Sequence, residues 1–303
     1  MVCRSAMSSS LHVATERVSH NGDRLLTVRL AAQVTPASAN HVVDHQGMHR
    51  VLPGQGGVVL GVGQGDPADS WASDHLEPGA TVGHPDAAAN SAVQLLACVG
   101  NRATILDGPG AGMKGVVVGK HGAVLVAFAP DEMVRIRPGD WMAIESRGVG
   151  LAIEDEPEIV CHSCSPELLD ALVAGRDAGG RLRVRVVAEL PAEAAAAGIG
   201  MPVSMFNIDL QVDQPPVDEL AAGLRFGDVV ALLDHDHRWG RQLRPGWVAM
   251  GIIAHGHSVG GGHGLGMISL MSGPADRIAL ERAAEATLSR LISFPWSTGA
   301  ARA

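Results

Sequence analysis

Between positions 92 and 129 the chain is a succession of short apolar, β-branched runs cut by glycine turns, and this pattern limits its fold more than any other feature. These runs are short enough to be single strands joined by tight turns. Glycine turns let them bend sharply, so a small barrel or a tightly curved sheet is expected. An apolar run at 92–99 ends in Gly100-Asn101. Strands are expected over 102–106, 115–119 and 123–129, with a glycine-rich turn at 108–112 and the turn Lys120-His121-Gly122 between the last two. Arg137-Pro138-Gly139-Asp140 then turns into a further strand at 141–145.

The remainder adds helices sparingly. Residues 11–18 and 25–34 read as strands around the turn 20–23, and 53–85 as loop. After a further strand at 148–153, a helix is expected over 165–174, with Ser165 as cap, Pro166 at its first position and a Leu168, Leu169, Leu172, Val173 stripe. Strands are expected at 181–190, 204–212, 228–233, 247–254 and 265–271, short helices at 191–197 and 217–224, and an amphipathic helix over 274–292. The fold class is therefore α+β and β-rich: a small SH3/KOW-like barrel element plus a mixed sheet flanked by a few helices. The acidic stretch 154–157 divides a β-rich N-terminal domain, 10–155, from an α+β C-terminal domain, 156–294.

Length and composition exclude several classes. The 303 residues include no apolar run near the roughly 20 needed to cross a bilayer, and no secretory h-region follows Arg4. A cytoplasmic protein without a membrane partner is expected. A formal charge of −9 with its signs interspersed gives no footprint for nucleic acid. The four cysteines are too few for a disulfide framework, and Cys161-His162-Ser163-Cys164 lacks the second pair that a zinc site of four ligands needs. Gly61-Val62-Gly63-Gln64-Gly65 breaks dinucleotide-loop spacing, and no helix pattern follows it.

Chemistry concentrates near the C-terminus. Residues 254–266, A-H-G-H-S-V-G-G-G-H-G-L-G, hold three imidazoles and six glycines. Such a segment lets backbone approach closely while His255, His257 and His263 stand ready to ligate or transfer protons. Two further histidines alternate with Asp234 and Asp236 in D-H-D-H. Two imidazoles and two carboxylates could hold a divalent ion, most naturally zinc. In a plain hairpin, however, Asp234 pairs near Val248 and His255 lies roughly 23 Å further along the strand. Either the connection 235–246 folds back, or the two groups serve separate sites, or a second subunit completes one. Arg241 is the candidate clamp for a substrate carboxylate or amide oxygen. Lys120 and Lys114 stand out because the other basic residues are all arginine. The barrel reading sets Lys120 and His121 near Asn101 and the loop bearing Asp74, His75 and Glu77.

These motifs resemble a known family. Gly100-Asn101, G-x-x-G-V-V-x-G-K-H-G at 112–122, Asp209-Leu210-Gln211, L-R-F-G-D-V-V-A at 224–231, G-R-x-x-R-P-G at 240–246 and the run 251–264 are similar to a two-domain family of bacterial and archaeal proteins catalogued as a domain of unknown function. The likeness covers about 11–271. The family has Asp or a small residue near His257, so the resemblance favours His255 and His263 as ligands. It implies no activity. The F-G-D-V-V-A strand and the P-G-D turns faintly resemble acetamidase and formamidase proteins, metal-dependent hydrolases of small amides.

The expected activity is metal-assisted hydrolysis of a small amide, lactam or related C–N bond. His255, His263 and a carboxylate (Asp209, Asp234 or Asp236) would hold the ion. Lys120, His121 or His257 would handle protons, Asn101 would supply an oxyanion donor, and Arg241 would grip the substrate. A metal-free isomerase or lyase and a non-enzymatic small-molecule binding protein are the rivals. A homo-oligomer is expected.

Overall fold

The computed structural model describes residues 18–69, 71–73, 75–211, 219, 222–257 and 264–294. Its first half is a closed barrel. β1 (Val28–Val34), β5 (Gly79–Gly83), β6 (Arg102–Ile105), β7 (Lys114–Lys120), β8 (Val124–Ala127) and β9 (Trp141–Ser146) follow the order β1-β9-β6-β7-β8-β5, and β5 pairs back to β1. Every pair is antiparallel. A β2–β3 hairpin (Ala37–Val43 and His49–Gly56) and the short β4 (Val58–Val59) extend from it. The small barrel read from the glycine turns is therefore present, with six strands and with a bulge in the β7–β8 pair between Val117 and Gly119.

Alternation along β7 divides its side chains between two cores. Val117 packs inside the barrel with Leu30, Val82, Ile105, Val126 and Ile144, whereas Val116 and Val118 face outward into the core shared with the second half. That second half is a mixed sheet. β10 (Val160–Cys161), β17 (Gly266–Pro274), β16 (Gln242–His255), β15 (Val229–Asp236) and β13 (Ala188–Leu190) lie in this order, and β14 (Ile208–Asp209) also pairs with β17. A three-stranded sheet of β11 (Val173–Arg176), β12 (Leu182–Val186) and β18 (Ile278–Arg282) stands beside it.

The barrel and the mixed sheet meet at a glycine. A Cβ added to Gly119 would lie 2.5 Å from the Cβ of Ala254, so only glycine lets β7 come this close to β16. The β15–β16 hairpin supplies a second device. Leu233 pairs with Val248, but the ladder is interrupted before His235 pairs with Leu243. Asp234 takes a left-handed conformation there (φ 54°), and its carboxylate accepts from the Gly246 amide at 2.8 Å. Beyond this bend the arm 235–246 folds back: the His237 ring reaches Ser269 of β17, and Gly200 N–H donates to the Arg241 carbonyl at 2.9 Å.

Several local expectations need correction. The helix expected over 274–292 is a 3-10 turn, a strand and a one-turn α-helix at Leu288–Leu291, because Ile278 and Leu280 alternate in register with Leu182 and Val184 of β12 instead of lining a helix face. The strand expected at 204–212 shortens to Ile208–Asp209, the helix at 191–197 to a 3-10 turn at Ala192–Ala194, and the strand at 148–153 to isolated bridges. The apolar run at 92–99 belongs mostly to a helix, α1 (Ala87–Leu96), capped by Asp86. The helix over α2 (Pro166–Leu172) has the expected Ser165 cap. All but the last residue of the expected strand at 11–18 and half of the expected helix at 217–224 lie outside the described residues.

Gly119→Ala is expected to cost about 1–3 kcal/mol in urea denaturation through overpacking against Ala254. Gly122→Ala, in the adjoining turn at φ 63° with open space around its Cβ, should cost only the left-handed backbone penalty of roughly 1–2 kcal/mol and leave the seam intact. A Gly119→Ala protein as stable as wild type would show that the seam is not close-packed.

Candidate functional site

Three strands lay one row of residues side by side: His255 on β16, Gly266 on β17 and Asp209 on β14. A Cβ at Gly266 would sit 1.9 Å from His255 Nε2, so the imidazole lies across the space that the glycine leaves. Its Nε2 reaches Asp209 Oδ1 at 3.2 Å and Asn207 Nδ2 at 2.8 Å, and Asn207 Nδ2 also donates to Asp209 at 2.7 Å. On the other side Nδ1 lies 2.9 Å from the Gly256 carbonyl. A carbonyl can only accept, so Nδ1 carries the proton and the Nε2 lone pair faces Asn207 and Asp209.

The barrel brings a second imidazole pair to the same point. Gly256 N–H donates to the Leu76 carbonyl at 2.8 Å and His257 N–H to that of Ala68 at 3.1 Å, which straps the loop 68–77 to the end of β16. His75 in this loop is left-handed (φ 48°), a conformation uncommon outside glycine but one that histidine tolerates better than most side chains. His121 follows β7 directly. The His75 and His121 rings stack at 4.9 Å and 14°, and His255 lies 5.2 Å from the first and 4.5 Å from the second, centroid to centroid. His121 Nδ1 lies 2.7 Å from Glu77 Oε1, while Glu77 Oε2 accepts from Gly56 N–H at 2.9 Å and the Thr81 hydroxyl at 2.6 Å. Burial would raise the Glu77 pKa, but the hydrogen bond and charge of His121 with the Thr81 and Gly56 bonds hold it below its ordinary value. The carboxylate is thus ionised and accepts from Nδ1, leaving Nε2 as the basic nitrogen of His121. The cluster reaches solvent at His121 and Asp209, whose side chains are 21% and 11% exposed.

Lys120 is fully buried beside it, donating to the Ser204 carbonyl at 2.8 Å, and burial lowers its pKa to about 8. Arg241 is also fully buried. Its guanidinium donates to the carbonyls of Gly198 and Phe206, and among the described residues its Nε–H has no hydrogen-bond partner.

Other candidates fall elsewhere. Asp236 is held by Arg238 and Arg244 at 3.0 and 2.9 Å, and both guanidinium groups stack on Trp247. Asp234 forms the bend, so neither aspartate joins His255; the arm does fold back, but it carries Arg241 and not the carboxylates towards Asp209. Asn101 accepts from the amides of Cys98 and Arg147 and donates to the Arg147 carbonyl, which commits both ends of its amide to backbone. That replaces the oxyanion role expected for it. His257 follows the strap, half-buried. His263 and Asp74 lie outside the described residues. Among the described residues no three His, Cys, Asp or Glu side chains form a ready ligand set for a metal. Burial pushes the Cys161 thiol up to about 12 and raises those of Cys98 and Cys164, as expected for structural cysteines. Asn207, absent from the sequence reading, could have been found from its i, i+2 spacing to Asp209 on one strand face.

A separate group of imidazoles lies within the sheet under the folded arm. His237 Nδ1 contacts the Ser269 hydroxyl at 2.6 Å and His162 Nε2 that of Ser272 at 2.9 Å. Burial and then the nearby Arg241 charge lower His162 to about 4 and His237 to about 2.

The closed barrel and mixed sheet, with imidazoles from both at their seam, define a two-domain β-rich protein with one composite polar site. By sequence the chain belongs to the DUF4438 family: that family's N-terminal domain of unknown function matches residues 41–170 and its C-terminal domain residues 172–292. A solved structure described as the crystal structure of TM1086 is similar over 92% of this chain and 100% of its own, at 31% identity and a TM-score of 0.85. No match is found among curated proteins.

Two outcomes test this geometry. Gly266→Ala should expel the His255 ring, and a two-bond 1H–15N spectrum should then lose the Nδ1–H tautomer that wild type shows; an unchanged spectrum would contradict the packing. Both buried histidines bind their proton more weakly folded than unfolded, so stability should be complete above pH 6.5 and fall as the pH drops from there towards about 4, by at most about 1.4 kcal/mol per unit for each. His162→Gln should flatten the fall, measured by urea denaturation across that range.

Proposed function

We propose that the His75, His121 and His255 cluster is the centre of a metal-assisted hydrolase acting on a small amide, lactam or related C–N bond. The observation that carries this reading is the state of His255. Its Nδ1–H is tied to a carbonyl, and its Nε2 lone pair lies beside the Asp209 carboxylate, the outer-shell pattern that prepares an imidazole to bind an ion. His255 and Asp209 would hold the ion, zinc suiting their N and O donors, with His263 the third candidate. When bound, such an ion would supply an acidified water and polarise the carbonyl. His121, oriented by ionised Glu77, would accept a proton at Nε2 and deliver it to the leaving nitrogen. Lys120, with its pKa near 8, is the other proton carrier.

The His121–Glu77 pair also favours a metal-free acid–base reading, an isomerase or lyase using the same imidazole. Among the described residues no helix is long and apolar enough to cross a membrane, and a cytoplasmic homo-oligomer is part of the proposal.

Protein purified without added metal should contain about one divalent ion per chain, and chelation should abolish turnover across a panel of amides and lactams. His255→Ala and Asp209→Ala should lose the ion. Glu77→Gln should keep it while kcat falls by about 10²-fold or more. A stoichiometric absence of metal together with chelator-resistant turnover would establish the acid–base reading instead.

A further inference from the structure

Asn207 stands between two groups that offer only lone pairs to each other. His255 Nδ1 carries the ring proton, so its Nε2 accepts, and Nε2 lies 3.2 Å from Oδ1 of the Asp209 carboxylate. Neither atom brings a proton to that contact. The Asn207 amide supplies one to each, with Nδ2 at 2.8 Å from His255 Nε2 and 2.7 Å from Asp209 Oδ1. Its two N–H groups therefore do what a small cation would do, drawing an imidazole lone pair and a carboxylate oxygen to one point.

The backbone behind this point is fixed. Asp209 and His255 flank Gly266 in neighbouring strands, Asp209 N–H donates to the Ala197 carbonyl at 3.0 Å, and Arg241 holds the carbonyl of Phe206. All three residues, Asn207, Asp209 and His255, are buried. What can turn is the Asn207 amide. Both of its hydrogen bonds among the described residues are made by Nδ2, so a half-turn about its last side-chain bond gives up those two and breaks none at Oδ1. The turned amide presents its oxygen where Nδ2 was, and one nitrogen and two oxygens then face the same point. Their separations already suit an ion. Neighbouring ligands with bonds of about 2.0–2.1 Å lie roughly 2.9 Å apart in six-coordination and roughly 3.4 Å apart in a tetrahedron, against 2.7–3.2 Å here.

We propose that Asn207 is a metal ligand: its amide turns over when the ion binds, and Oδ1 then faces the ion together with His255 Nε2 and Asp209 Oδ1. This rests on the metal-assisted reading of the site, and it gives Asn207 the third place for which His263 is the candidate by sequence. With no cation the turned amide would set three acceptors against one another, so the orientation of Asn207 follows the ion.

The test measures binding without turnover. Full-length protein, stripped with chelator and then freed of it, is titrated calorimetrically with zinc at about pH 7 and again at about pH 8.5, roughly two units above the ordinary imidazole pKa. Asn207→Ala should bind zinc about tenfold or more weakly at both values, a loss at least as large as removal of an outer-shell partner brings. Asn207→Asp, which keeps an oxygen in place, should bind at least as tightly as wild type; circular dichroism and thermal melting verify that each variant is folded. Affinity in Asn207→Ala equal to wild type or higher overturns the proposal and makes the amide a cap over His255 and Asp209. A loss present only at the lower pH also overturns it, because Asn207 would then act only by keeping a proton off Nε2. In wild type, nuclear Overhauser contacts between the Asn207 Nδ2 protons and the His255 ring should vanish when zinc is added, and their persistence in the zinc-bound protein overturns the turned amide without any variant. Wild-type protein that binds no zinc defeats the metal-assisted reading itself, an outcome seen before any variant is made.

Discussion

The approach of β7 to β16 at Gly119 and Ala254 determines where every other part of the site can be. Backbones this close fix the next residues on each strand opposite one another: Lys120 and His121 on the barrel side, His255 and Gly256 on the sheet side. The imidazoles thus meet one or two residues beyond this close contact. Rotation of the barrel against the sheet would have to break the shared core of Val116, Val118, Leu125, Ile252 and Ala254, so the positions of both rings derive from packing and not from the loops around them. Loop 68–77 then adds His75 and Glu77 by pairing with the backbone just past β16, an arrangement available only because that strand ends at the seam.

How much of this can be read from sequence depends on the range of the interaction involved. Most of the barrel was legible because its cause is local, glycine turns between short runs of β-branched residues. Its closing strand β5 lies within 53–85, which reads as loop because its glycines and polar residues leave only Gly79–Gly83 to pair with β1 and β8. The α2 cap was legible from a local cause too, since Ser165 and Pro166 act within one turn. The tail was not. Ile278, Leu280, Leu288 and Leu291 are near enough to helical spacing to suggest a helix, and what makes 278–282 a strand is a parallel partner nearly a hundred residues away at Leu182–Val186. Short apolar segments of this kind take their structure from the neighbour, not from their own propensity.

The site divides in the same manner. His255, Asp209 and His121 were visible as residues of the right kind in glycine-rich or strand-edge settings, and the structure brings them together. Asp234 and Asp236 were visible for the same compositional reason, yet their carboxylates serve the bend and the Arg238, Arg244 and Trp247 stack. D-H-D-H carries no mark that separates a ligand from a hinge. What separates them is a left-handed Asp234, and that conformation depends on Gly246 twelve residues later.

The two groups of histidines show why residue type alone is a poor guide to chemistry. His237 and His162 are neutral because they are buried near the Arg241 charge, and one ring nitrogen of each meets a serine hydroxyl of β17 inside the sheet. His121 and His255 each have Nδ1 fixed by an acceptor that cannot donate, a carboxylate in one and a carbonyl in the other. That fixes the tautomer and directs both Nε2 lone pairs outward from their supports. Arg241 stands between the groups and acts on both, depressing the interior imidazoles while holding the backbone that leads into Asn207 and Asp209. The folded arm is therefore the element that makes one set of imidazoles inert and keeps the other in place, and its bend at Asp234 matters to the site although no atom of Asp234 enters it.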